Sequence, residues 1–534
     1  MKKTRAKRGC QIIDLYPPVH QCQACGGVLV EGYRQSRFVV TLMGGVRLIK
    51  HVLTCTMPTC PQRGISQRPV DEGRWALPKY TFGLDVIACV GELRYQRQRT
   101  LPEIHTALRQ QQVSISLKEV QLLSEVFLAL VQTVIADDTQ ALAQLRAQGG
   151  IILSADGIQP EKGNETLWLL RDVRSERVLV ARNLLSSSAD ELGPLFEQVK
   201  QLGVPVLGVV SDKQASLCLA IERVFPDLPH QLCHYHYLRD AAQPLCDADR
   251  AFKKQLKQKL RGLRDVERQV AAREDVEADI TRRYCLALRE VLRDDGKYPL
   301  EPPGLQLYDK LQQIDASLER AIASRASTKL QRLRTLLAGT TALVKEHARL
   351  VIAWVWLYQL AKLLERGATR QEATAALVQY AESLPHDQDE TLNEWAAHLQ
   401  KLTHAFAPKL FAFHDQPLLP KTNNDLEVFI GQLKKSRRRV TGRKDTTQFI
   451  LREGRAVASL QSLPDKPVWV QAFAQINAAH FRAALADLRN APQRSQAWQV
   501  RRDLAAYLAH AEQEWPLLSK SEVVSTGFKR LLQR

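Results

Sequence analysis

Apolar residues recur along the chain at two different periods, and the places where the period changes divide the sequence. Arg37–Leu42 (RFVVTL) and Val46–Leu53 (VRLIKHVL) are rich in β-branched residues with partial alternation, which predicts two strands near the N-terminus. From Tyr80 to about Leu130 the spacing is helical. Thr100-Leu-Pro-Glu103 and Ser116-Leu-Lys-Glu119 both match the capping box S/T-x-x-E, in which a hydroxyl and a carboxylate satisfy the open amides of a first turn. The polar turn Gln110-Gln-Gln-Val-Ser114 lies between them. Two short helices so spaced suit a helix-turn-helix. They suit an ordinary helical hairpin equally, because geometry alone separates the two.

A block of buried strands begins at Gly149. Gly149–Asp156 (GGIILSAD) is a short apolar run closed by an acid, and Leu167–Val173 and Arg177–Leu184 read as two more strands, split by a turn at Arg174–Glu176. Ser188 opens an amphipathic helix to about Gln201, with Leu192, Leu195, Phe196 and Val199 on one face. Val204–Ser211 is a fourth buried strand, again closed by an acid, Asp212. A helix over Gln214–Phe225 follows, and then a short strand and helix start at His230–His236. Three strands, a helix, a strand, a helix and a fifth strand is the order of an α/β ribonuclease-H-like fold. In that order the first and fourth strands are neighbours, which brings Asp156 and Asp212 together, and paired carboxylates suit hard divalent cations.

A third acid is expected from a later helix, and the segment Pro420–Arg439 supplies it. Thr422 or Asn423 caps a helix carrying Glu427. Glu427 and Lys434 fall within about 20° of one helix face and about 10 Å apart along the axis, so the acid can complete a metal site while the lysine reaches a phosphate. Asp425 is a rival third ligand about 200° round the helix, so only one of the two faces the site. Arg437, Arg438 and Arg439, then Arg443 and Lys444, extend a basic DNA-binding track. Singly these features are ordinary: strand-end aspartates often cap a following helix, and basic runs are usually solvated faces. Their combination in fold order points to chemistry.

Fifty-six residues separate the two aspartates, but 215 separate Asp212 from Glu427. That gap is too long for one connection. From about Ala241 to Phe413 it is rich in Leu, Ala, Arg and Glu with helical periodicity, and reads as an all-helical insertion. Its most apolar stretch, Leu350–Tyr358, is interrupted by Gln359 and Lys362, short of the ~20 residues that span a bilayer, and reads as a buried helix rather than a membrane segment. Trp354 and Trp356 within it are core residues or, less in keeping with their apolar company, a stacking platform for an unpaired base.

Composition adds the partner. Lys plus Arg number 75 against 57 Asp plus Glu, a net charge of +18 and a pI near 9.5. Such an excess on a chain of ordinary globular composition points to a polyanion, nucleic acid first, because cations set against phosphates release counterions. The basic start, MKKTRAKRG, is followed by Cys10-Gln-Ile-Ile-Asp14 rather than the apolar run of an export signal, so a reducing cytosol is expected. Ten cysteines form no disulfide framework. Four cluster instead: Cys22-x2-Cys25, followed by Gly26-Gly27, and Cys55-x4-Cys60. Two short-spaced pairs on tight turns, with strands between them, are the pattern of a zinc ribbon holding structural Zn2+.

With these residues in view, the chain resembles bacterial insertion-sequence transposases of the DDE class, in the branch similar to Mutator-like elements. The resemblance covers most of the chain and rests on Ser154-Ala-Asp156-Gly157, Val210-Ser-Asp212, the C-x-x-H of Cys233-His-Tyr-His236, and Thr422-Asn-Asn-Asp-Leu-Glu427 with Lys434. It implies that Asp156, Asp212 and Glu427 bind two Mg2+ (or Mn2+) ions for phosphodiester hydrolysis at the element ends and transesterification into a target. It implies that Cys233 and His236 shape the site, although His234 could replace His236 in a metal scheme. Double-stranded DNA, as terminal inverted repeats and target, is the implied partner, in a homo-oligomeric synaptic complex in the cytoplasm on the bacterial nucleoid. The expected organisation is a zinc ribbon (1–75), a helical DNA-binding pair (76–145), the catalytic core (146–240), the helical insertion (241–413), the last catalytic helix (414–460) and a C-terminal helical region (461–534). Two other readings share the motifs: a DNA-binding repressor or domesticated transposase, and a ribonuclease-H-like nuclease that cuts without joining.

Overall fold

Two long strands organise the N-terminal region. In the computed structural model, which describes residues 10–160, 164–367, 369–386, 389–443, 446–463, 467–490, 500 and 503–515, β2 (Val30–Thr41) and β3 (Gly44–Thr54) form an antiparallel hairpin. β1 (Gln11–Leu15) runs parallel to β3, and the two residues of β4 (Ser66–Gln67) pair with its far end. The hairpin turns at Gly44, whose φ of +118° suits glycine, and the next residue, Gly45, lets the Phe38 ring lie against bare backbone. Val39, Val46 and Leu48 point inward to a small core with Leu15 and Ala76. β2 begins seven residues before the expected Arg37: its first half, VEGYRQS, is polar and exposed on both faces, so backbone pairing rather than side-chain alternation makes it a strand.

The chain divides into two compact units, each assembled from separated stretches: residues 1–206, 219–226 and 425–534 in the first, 207–218 and 227–424 in the second. The fold is mixed α/β with a large helical content.

In the first unit, the helices Leu84–Gly91, Leu101–Gln110, Leu117–Ala136 and Thr139–Ala147 lead into the antiparallel strands β5 (Ile151–Ile158), β6 (Thr166–Asp172) and β7 (Val178–Leu184), ordered β7-β6-β5. β6 is buried along its whole length. The helix Ala189–Gln201 follows, capped by the Ser188 hydroxyl, and buries Ala189 with the anticipated Leu192, Leu195, Phe196 and Val199. Phe127 is at the centre of an aromatic cluster: Trp469 and Phe473 meet it edge-on at 5.4 and 5.6 Å, while Gly91 lies so close that a side chain there would strike its ring. Leu117–Ala136 is the one helix among the described residues that is long and apolar enough to cross a membrane, and most of its apolar residues are packed in this core.

In the second unit, β9 (His230–Leu232) pairs parallel with β8 (Val206–Ser211), and helices fill the rest. Helix His234–Lys259 packs with Pro303–Ser324, Val344–Leu363 and Glu390–Leu410 around Tyr237, Phe252, Trp354 and Phe406. Trp354 is 1 % exposed and its indole N–H donates to the Pro299 carbonyl at 3.2 Å, and Trp356 is also buried, so both tryptophans are core residues. The Leu350–Tyr358 segment is amphipathic rather than wholly buried, with Val351, Ile352, Val355 and Tyr358 exposed.

Candidate functional site

The four N-terminal cysteines converge. All four sulfurs lie within 4.8 Å of one another, with Cys22–Cys60 at 3.6 Å and Cys25–Cys55 at 3.7 Å. Four sulfurs at about 2.3 Å from a tetrahedral zinc stand about 3.8 Å apart, so the spacing fits that ion. Two tight turns present them. Gly26 at φ +70° donates to the Cys22 carbonyl, and the amides of Ala24 and Cys25 point at the Cys22 sulfur, pulling its thiol down to about 7. Burial pushes the Cys60 thiol up to about 12, although the Gln62 amide donates to it at 3.4 Å. The set thus holds one thiol already near ionisation beside one that would give up its proton only to a metal.

Beside this cluster is a second, unanticipated group. His51 on β3 is 3 % exposed, faces the Asp14 carboxylate with Nε2 at 2.7 Å and the Glu31 carboxylate with Nδ1 at 3.1 Å, and stacks on Tyr16. The Asp14 carboxylate raises its pKa, with Glu31 adding to the effect. No local motif announces it, because its partners lie on the two strands flanking β3.

Both capping boxes form. The Thr100 and Ser116 hydroxyls accept from the amides of Glu103 and Glu119, whose carboxylates return to the capping amides. The second helix, at 20 residues, is longer than a short pair would suggest. Lys118, Gln121 and Leu122 near its start are exposed, whereas Val126–Val131 is buried all round.

Asp156 lies within β5, opposite Leu169 of β6; the strand continues to Ile158 instead of ending at the acid, because Gly157 and Ile158 still pair with Trp168 and Leu167. Its carboxylate accepts from the Gly157 amide at 2.7 Å. The helix Asn424–Thr441 carries Asp425, Glu427, Lys434 and the arginines. Asp425 is taken up by Arg171 of β6, a buried residue whose guanidinium also stacks at 5.0 Å over Phe429. Lys434 and Arg437 are half-buried; Arg437 lies 5.0 Å over the Phe449 ring and 3.9 Å from Glu453. Arg438, Arg439 and Arg443 are exposed, and Lys444 lies outside the described residues. The Thr100 amide and hydroxyl hold the Glu103 carboxyl below its usual range, and the charges of Arg99 and Arg439 add to this.

In the second unit Asp212 follows β8 directly, and its Oδ1 accepts from the Gln214 amide at 3.1 Å, an aspartate turn ahead of the helix Ala215–Val224. Ser211 bridges the Asp212 carbonyl and His230 at 2.8 Å each. Cys233 is the fully buried residue ahead of helix His234–Lys259, and its sulfur accepts from the Asn423 amide at 3.3 Å. His234 and His236 now separate. His234 Nε2 donates to the Leu410 carbonyl at 2.7 Å, and burial lowers its pKa. His236 lies one turn past Cys233 and is buried.

A mixed α/β chain with a zinc-compatible cysteine cluster and strand-borne acids defines the class only broadly. Residues 188–297 match the model of the Mutator family of transposases, which supports a Mutator-like insertion-sequence transposase. That family implies DNA binding and DNA cleavage and transfer in general. No curated protein matches the chain.

Proposed function

We propose that the protein is a DDE transposase that cuts the ends of an insertion sequence and joins them to target DNA. The observation that carries this reading is the Mutator-family match, which spans Asp212, Cys233 and His236. The succession of β5, β6, β7, a helix, β8, a helix and β9 supports a ribonuclease-H-like core. Asp156, Asp212 and Glu427 are the carboxylates of the reaction, and oxygen donors of this kind suit Mg2+ or Mn2+. Such ions, when bound, supply the charge that activates a water and steadies a leaving 3′-oxygen. The pairing of Asp425 with Arg171 supports Glu427 over Asp425 as the third acid. Cys233 and His236 shape the site.

Cys22, Cys25, Cys55 and Cys60 hold structural zinc. The capped helical pair reads the element ends as a helix-turn-helix. Lys434, Arg438, Arg439, Arg443 and Lys444 grip duplex phosphates, which position DNA without reading its sequence. Arg437 belongs to the same track, with its guanidinium over the Phe449 ring. The assembly is a homo-oligomer at the paired ends of the element, on DNA in the cytoplasm.

The test is substitution of each acid. Asp156→Ala, Asp212→Ala and Glu427→Ala are each expected to abolish Mg2+-dependent strand transfer, assayed on duplexes carrying the sequences that flank the gene, while gel-shift affinity for those duplexes stays within about twofold of the natural chain, since a triad change removes reaction chemistry and not phosphate contacts. Normal transfer by any of the three removes that residue from the site. Absence of short inverted repeats in the flanking DNA would overturn the transposase reading itself.

A further inference from the structure

An arginine buried in an otherwise apolar strand calls for a reason, because such a charge is rarely buried unless paired. Arg171 is 3 % exposed and sits on β6 directly opposite Ser154, so its side chain rises from the same face of the sheet as Ser154 and, two residues further along β5, Asp156. It holds the helix Asn424–Thr441 by two residues one turn apart. Its guanidinium pairs with the Asp425 carboxylate and stacks over the Phe429 ring at 5.0 Å, while Glu176 takes the remaining fork at 3.2 Å. Asp425 and Phe429 are about 40° apart around the helix, and Glu427 is about 160–200° from both. Gripping the first two therefore sets the rotation of the helix and turns Glu427 to the opposite side.

We propose that Arg171 is the positioning residue for Glu427. By binding Asp425 and Phe429 it fixes which acid of the Asp-Leu-Glu segment is turned toward a divalent cation, and in what direction. This rests on the reading of Glu427 as a metal-binding acid. A flexible lysine would keep the charge but lose the fork that holds three partners at once.

The test uses the full-length protein, Mn2+ binding followed by electron paramagnetic resonance, and Mg2+ titration of end cleavage. Arg171→Gln and Asp425→Asn are each expected to weaken Mn2+ binding and raise the Mg2+ requirement roughly tenfold to a hundredfold, as losses of outer partners do, with DNA affinity unchanged. The double variant is expected to be no worse than Arg171→Gln alone, because both changes break the same Arg171–Asp425 pair. Arg171→Lys is expected to give the same shift at smaller size, and it carries the test should Arg171→Gln fail to fold. Unchanged Mn2+ binding and Mg2+ requirement in the folded variants overturns the proposal. So does complete loss of binding in Asp425→Asn with Arg171→Gln unaffected, which would make Asp425 the ligand. Glu427→Gln separates the two readings: if it binds Mn2+ and cuts normally, the triad assignment fails, whereas an inactive Glu427→Gln beside unaffected Arg171 and Asp425 variants sinks the positioning role alone.

Discussion

Asp249 shows what one buried acid can do at a distance. It is 0 % exposed, accepts from the amides of Gly304 and Leu305 at 2.8 and 2.9 Å and from the Tyr298 hydroxyl at 2.8 Å, and so caps the helix Pro303–Ser324, whose own preceding residue, Pro302, offers no side-chain cap. Gly304 is required there, since a side chain would press on the Asp249 carboxylate. Asp249→Ala leaves two amides and a hydroxyl unmatched, and a loss of about 2–4 kcal/mol is expected in urea unfolding of the full chain, read from the transition that carries the tryptophan signal. A change below about 0.5 kcal/mol would show that water replaces the acid. Neither this cap nor the Arg171 grip was legible in the sequence, because each joins residues far apart in the chain; the one hint for Arg171 was a charge inside the apolar run LWLLRDV.

At the scale of elements, legibility followed locality. The capping boxes at Thr100 and Ser116 and the buried face of Ala189–Gln201 were read correctly, since a cap and a helical stripe are written within a few residues. The polar half of β2 was not, since only its partner makes it a strand. The meeting of the four cysteines was legible from spacing, whereas the His51 group between three strands was not. Two predictions belong here. Removing zinc by chelation is expected to unfold the cysteine turns and loosen β2 and β3, visible as lost amide protection over residues 20–67, and Cys22→Ser or Cys60→Ser should lose the bound metal. Protection that survives metal removal would make the cluster four packed thiols. The second concerns pH. The folded pKa of His51 is raised, so its contribution is fully present below the ordinary histidine value and is lost as pH rises through the higher folded one. The melting temperature of the β1–β3 sheet is therefore expected to fall between mildly acidic and alkaline pH, and His51→Asn should flatten that dependence; an unchanged profile would refute the charged pairing.

For the whole molecule, the charge of +18 separates into roles. Arg438, Arg439 and Arg443 face solvent, but Arg171 is committed to internal partners, so the formal excess overstates what a polyanion would meet. Replacing both Arg438 and Arg439 with alanine is expected to reduce the salt slope of DNA binding by about two, roughly one per phosphate contact, with similar effect on any sequence. An unchanged slope would move the track elsewhere.

The first unit is also discontinuous, and its core joins Phe127 to Trp469. A ribosome that has made residue 226 must still synthesise 198 more before the unit's last stretch begins at 425. At about 5–20 residues per second that is roughly 10–40 s in which the early helices wait without Trp469 and Phe473. Chains that end before residue 425 therefore lack a closed core and the helix bearing Glu427, and are expected to be readily proteolysed.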